Sequence, residues 1–109
     1  MPQKPDPIIH VTVFEPRPGQ MDPFIARQTE GLPRFGVIPG WRGSTLYRDR
    51  DGRKAILVTV WDDEAAHRSF TETDAFRNHR EGLIPLLEGA SGGFYDPVYR
   101  RAPAEDGSA

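Results

Sequence analysis

Apolar and polar positions alternate first in "IIHVTVFE", residues 8–15, where Ile9, Val11 and Val13 fall on one side and His10, Thr12 and Phe14 on the other. A period of two in a run of β-branched and aromatic residues predicts a strand. "PRPGQ" ends it, and the period lengthens. Phe24, Ile25, Gln28 and Leu32 recur at helical spacing in "PFIARQTEGL", with Asp22 placed to cap the helix and Pro23 at its first position. Gly31 and Pro33 weaken its end. The turn-rich "GVIPGW" leads into a second strand, "WRGSTLYRD". Asp51-Gly52 predicts a two-residue hairpin turn into "KAILVTVW", the most apolar segment and therefore a central strand.

After Trp61 the period moves from two toward 3.6. Asp62 is placed to cap a helix in which Ala66 and Phe70 share a face. Thr73 is placed to cap another, where Phe76, His79, Arg80 and Leu83 form a stripe. "GLIPLLEGASGG" reads as a short helix or turn, ended by Pro85 and the glycines. "FYDPVYR" closes the pattern as a last strand, and Pro97 assigns it to an edge or a bulge. The order β-α-β-β-α-β predicts an α+β ferredoxin-like fold, the split βαβ, with helices on one face of an antiparallel sheet. Strands that are apolar on both faces, in so short a chain, leave the second face needing cover. That predicts a homodimer.

The 109 residues suffice for one domain, assigned here to residues 8–101. "MPQKPDP" and "APAEDGSA" are rich in proline and charge, which predicts flexible tails at 1–7 and 102–109. A net charge of -2, with basic residues scattered singly apart from Arg53-Lys54 and Arg100-Arg101, excludes a nucleic-acid binder. No apolar run approaches the roughly 20 residues that span a bilayer, and no apolar signal core opens the chain. The expectation is a cytoplasmic protein without membrane contact. With no cysteine, and with three histidines far apart, no metal site is expected. No Ser or Cys nucleophile motif and no phosphate-cradling loop is present; "GASGG" lacks a following stretch of helical period.

The candidate chemistry lies near Trp61. Leu57, Thr59 and Trp61 share one face of their strand, so a pocket there is mainly apolar. Trp61 is either a core cap whose indole N–H meets a backbone carbonyl or a wall that stacks on a flat ligand. His67 follows Asp63 by four residues. The two form either a solvated surface pair or a held imidazole that exchanges a proton with a substrate. His79 faces inward on its stripe, either as a satisfied core residue or as a ligand-contacting one, and is expected to be more buried than His67. His10 lines either a barrel interior or a cavity.

"EPRPGQMDPF", "VIPGW" and "VTVWDDEAAHRSFTETDAFRNHREGL", in this order of elements, resemble the antibiotic biosynthesis monooxygenase family of dimeric α+β barrels over Ile8 to Arg101. The resemblance implies a cavity between sheet and helices, used in two ways. Some members oxygenate polyphenolic intermediates without metal or flavin; others bind and degrade haem. For the first kind it maps a family Trp onto Trp61, an Asn onto Leu57, a helical Tyr onto His67 and a strand-two His onto Tyr47. For the second it maps a helical Trp onto Phe70 and sets His79 one residue from the family His, with no Asn in strand one. The leading expectation is a cofactor-independent monooxygenase for a small aromatic substrate, with Trp61 as wall, His67 as proton-transfer group and Tyr47 as orienting hydroxyl. Leu57, Thr59, Phe70, His79 and His10 are then ligand contacts. The alternatives are a non-catalytic binder of small aromatic molecules, favoured by an apolar Leu57, and a haem-binding member.

Overall fold

The computed structural model describes residues 6–103. Its elements are β1 (Ile8–Pro16), α1 (Met21–Gly31), a 3-10 turn (Leu32–Phe35), β2 (Trp41–Arg48), β3 (Ala55–Trp61), α2 (Glu64–Thr71), α3 (Asp74–Leu83), a second 3-10 turn (Ile84–Leu86) and β4 (Leu87–Tyr95). The strands form one sheet in the order β2-β3-β1-β4, with every neighbouring pair antiparallel. This is the ferredoxin-like α+β arrangement. β3, the most apolar strand, is central, with Val58 paired to Val11 on one side and to Thr45 on the other. Of the tails expected at 1–7 and 102–109, residues 1–5 and 104–109 lie outside the described residues.

Local chemistry moves several expected boundaries. α1 begins at Met21 behind Gln20, which makes no side-chain cap, so Asp22 lies inside the first turn rather than capping it. Pro23 is tolerated there because first-turn N–H groups have no intrahelical acceptor. α2 is capped by Asp63 and not by Asp62: its Oδ1 accepts the Ala66 N–H at 2.8 Å. Asp62 instead meets Arg42 Nε at 2.6 Å. Thr73 does cap α3, accepting from Phe76 N at 3.2 Å.

The hairpin after β2 is longer than a two-residue turn. Asp49 N donates to Lys54 O at 2.8 Å, and the Asp49 carboxylate accepts the Asp51 N–H at 2.8 Å. That Asx turn uses the aspartate two residues before the Asp-Gly step, and Gly52, at φ 72, completes a wider loop. The last strand also departs from expectation. It is "LEGASGGFY", not "FYDPVYR", and residues 96–103 have no regular structure. A run of Gly, Ala and Ser carries almost no strand propensity of its own. Pairing with the β-branched β1, from Ile9↔Tyr95 to Pro16↔Leu87, makes it a strand.

The layer between helices and sheet is solid at one end and hollow at the other. Phe14, Phe24, Ala55 and Leu83 form the buried core, joined by Met21, Ile25, Leu46, Leu57, Leu86 and Leu87. Phe24, fully buried against Phe14 at a ring distance of 4.9 Å, contributes about 1.5–3 kcal/mol by burial alone. On the opposite face of the sheet, Ile9, Val11, Val13, Val58 and Val60 are only half-buried, and Ile56 and Tyr47 are exposed. No helix among the described residues is long and apolar enough to cross a membrane.

Candidate functional site

The hollow end holds a cavity of about 820 Å³, within the range of roughly 300–1,000 Å³ usual for small-molecule sites. Strand alternation supplies its floor. His10, Thr12 and Phe14 of β1, Ser44 and Leu46 of β2, and Leu57, Thr59 and Trp61 of β3 all turn toward the helices and line it. Phe70, Phe76, His79 and Leu83 close it from α2 and α3. His10, the residue with two possible faces, is therefore on the cavity side. Tyr47 is not: it neighbours Leu46 on an alternating strand, so its ring points to the other face, 54% exposed. The orienting hydroxyl expected of Tyr47 is thus not delivered to this cavity, and Ser44 and Leu46 occupy the wall instead.

His67 sits at the centre of an aromatic box. Its ring stacks on His10 at 4.2 Å with an interplanar angle of 27° and meets Trp61 edge-on at 5.3 Å. Phe94 of β4 closes behind both imidazoles, 5.0 Å from His67 and 4.9 Å from His10. The Asp63 carboxylate is committed to the helix cap, so it does not hold the imidazole; His10 stands there instead. The His67 ring makes no hydrogen bond to any described residue. Burial pushes its pKa from 6.5 down to about 4, helped by the repulsion of a charged His10. Burial also lowers the pKa of His10. Both imidazoles are therefore neutral at pH 7.

A short relay fixes the floor. The Trp61 indole N–H donates to Thr59 Oγ1 at 2.7 Å, and that hydroxyl donates to the His10 carbonyl at 3.4 Å. Trp61 is only 2% exposed, so it packs as core and presents one ring face to the cavity at the same time. Phe70 tilts against it at 5.6 Å and receives Phe35 edge-on at 4.9 Å. The loop before β2 is pressed onto α2. Gly40, at φ 79, lies where a Cβ would come within 2.5 Å of the Ala66 Cβ, and its carbonyl accepts the Asp62 N–H at 2.8 Å.

His79 closes the far wall, half-buried like His67. Its Nε2 is 2.6 Å from Oε1 of the fully buried Gln28, and its Nδ1 side abuts Gly31, where a Cβ would be 2.6 Å away. Burial, and then the charge of Arg27, lower its pKa. For a haem the fit is poor: one His79 nitrogen is engaged and the other faces backbone. Among the described residues no group of three or more metal-ligating side chains converges. Gln28 was signalled in the sequence as the polar member of an apolar helical stripe. Thr12 was set beside His10 by strand alternation, whereas Phe35 and Phe94 carried no such signal, because each acquires its place only through tertiary contact.

A family model for antibiotic biosynthesis monooxygenase matches residues 7–82. None of the curated proteins matches the chain. Among solved structures, SnoaB from Streptomyces nogalater, described as a cofactor-independent oxygenase, superposes with a TM-score of 0.78 at 24% identity over 88% of this chain and 97% of that one. A protein of Shewanella oneidensis gives 0.73 at 24% identity over 83% and 89%. One of Mycobacterium tuberculosis gives 0.75 at 19% identity over 89% and 100%. At these identities the likeness is one of fold.

Proposed function

The chain belongs to the antibiotic biosynthesis monooxygenase family, and from that premise we propose that it oxygenates a small electron-rich aromatic substrate in the cavity beside Trp61, without metal or flavin. The observation that carries this reading is His67: a neutral imidazole with no hydrogen-bond partner, enclosed by His10, Trp61 and Phe94. The substrate is its own reductant. His67 accepts the proton of a phenol or of an acidic ring CH2, leaving an anion that passes an electron to O2. The two radicals combine at the ring carbon, the peroxide anion takes the proton back from the His67 imidazolium, and the hydroperoxide loses water, so that CH2 plus O2 becomes C=O plus H2O. Trp61 supplies the flat wall, and the apolar lining of Leu57 and Phe70 keeps bulk water from the anion.

Oxygen electrode measurements with a panel of hydroquinones and anthrone-like substrates test this. One O2 consumed per substrate, with water and no hydrogen peroxide as co-product, is the expected result. Tight binding without oxygen uptake across the panel would establish the second reading, a binder of small aromatic molecules. That reading is favoured by Leu57, which offers no polar atom to substrate or oxygen, and by a Trp61 N–H already satisfied by Thr59. We further infer a homodimer: the half-buried Ile9, Val11, Val13, Val58 and Val60 form a continuous apolar surface that a second copy would cover. A soluble cytoplasmic setting fits a phenolic substrate and a chain without cysteine.

A further inference from the structure

We propose that His10 and His67 work as one base, a stacked imidazole pair that takes up a single proton, so that a phenolic ligand is held in the cavity as its phenolate. This rests on the cavity being an aromatic-ligand site, as proposed above, but not on turnover. At a ring separation of 4.2 Å the two imidazoles cannot both carry charge, because like charges in contact in a low-dielectric site repel strongly. The pair therefore has room for one proton. Their division of labour follows from their partners. His10 Nδ1 is 3.4 Å from the Thr12 hydroxyl, whereas neither nitrogen of His67 has a protein partner among the described residues. His67 is the acceptor, and the face of His10 lies against the imidazolium it becomes, an arrangement of the cation–π kind.

No carboxylate of the described residues faces the pair. From β1 the neighbours are Thr12 and the His10 ring itself; from β3, Thr59 and Trp61; from β4, Phe94 and Gly92; and from α2, Phe70 beyond Trp61. The other titratable or charged groups lining the cavity are His79, engaged with Gln28, and the exposed Arg80 and Glu88. The protonated pair thus lacks a built-in counter-ion, and the phenolate itself supplies the missing negative charge. The glycine-rich β4 also has a reason at this point. A Cβ at Gly92 would come within 3.0 Å of His10 Cε1 and 3.1 Å of Nε2, so a side chain there would push this ring aside by a few tenths of an ångström where it lies across the edge strand and under His67. Gly92 is a positioning residue for the pair. In the proton step one O–H bond breaks and one N–H bond forms, with no electron transferred.

A nitrophenol is the probe, because its neutral and ionised forms differ in colour. Bound to the wild-type protein, it is expected to show the phenolate spectrum at least about one pH unit below its midpoint in water, a tenfold rise in acidity. In His67→Gln it binds within a few fold but shows the phenol spectrum at that pH. His10→Leu, which removes the π face and keeps bulk, and Gly92→Ala, which displaces the ring, each return the bound midpoint toward the free value by about one unit. His67→Asn serves if the glutamine variant does not fold. Binding of the colourless phenol by the wild type overturns the proposal and leaves the cavity reading standing. A His10→Leu spectrum identical to wild type overturns the pairing, since His67 then acts alone. Failure of the wild type to bind the probe overturns both. Phenolate binding without oxygen uptake from any substrate supports the pair and removes the oxygenase.

Discussion

At the scale of single residues, the arrangement around His67 separates chemistry from packing. His67→Ala leaves the Trp61 wall in place, so ligand affinity is expected to stay within a few fold while oxygen consumption falls by about 10²-fold, the usual scale for losing an acid–base group. Steady-state oxygen uptake beside calorimetric binding checks it; unchanged turnover makes the imidazole a mere lining residue. The same residue links folding to acidity. Its folded pKa of about 4 lies below the unfolded value of 6.5, so the unfolded chain binds the extra proton between these limits. Stability is full above pH 6.5 and declines as pH falls toward 4, and the decline should flatten in His67→Gln, as urea midpoints at several pH values would show. Gly40→Ala faces a different obstacle: a positive φ and a Cβ driven into Ala66. A loss of about 1–3 kcal/mol is expected in denaturant melts. Sequence spacing paired His67 with Asp63 because they are four residues apart. The true neighbour, His10, is 57 positions away in sequence, and only the sheet register that brings β1 beside β3 sets the two rings face to face.

Elements carry the next set of consequences. Asp63 spends its carboxylate on the Ala66 N–H at the start of α2, so Asp63→Ala should cost about 1 kcal/mol of stability, with ligand binding and turnover otherwise unchanged. A melting curve and an activity assay on the one variant decide between cap and catalytic orienter; a large drop in turnover with an unaltered melt would reinstate the latter. The Thr73 cap and the apolar stripe of α3 were legible from sequence because both are local: a hydroxyl, a spacing, a period. β4 was not. Gly89, Ala90, Ser91, Gly92 and Gly93 have no periodic apolar signal, and their strand exists because β1 offers an unpaired edge with matching register. The wide hairpin was half legible: the Asp-Gly step marked a turn, but Asp49 set its width.

For the whole molecule, the expected mass in solution is twice the 12.2 kDa of the chain. Val58, flanked by Val11 and Thr45, lies mid-sheet on the uncovered apolar face, so Val58→Asp should yield monomers by light scattering at micromolar concentration while Val58→Ile does not. A wild type that runs as a monomer would overturn the inferred assembly. Element order, the central position of β3 and the shared face of Leu57, Thr59 and Trp61 could all be read from alternation alone. The hollow between sheet and α2 could not. A void is the distance between two layers, and no residue pattern encodes that distance until side chains such as Phe35, Phe70 and Phe76 have met and propped the layers apart.

The two tryptophans extend this consequence to optics. Trp61, 2% exposed and tied to Thr59, should fluoresce in the blue, whereas Trp41, 38% exposed with its indole on Ser44, should emit further to the red. Both line the cavity, one at its sealed floor and one at its wetter rim. Acrylamide would silence the red emitter first. What survives is light from the floor alone, so the protein carries its own spectroscopic depth gauge: a guest that lodges at the rim dims one colour, and a guest that reaches the histidines dims the other.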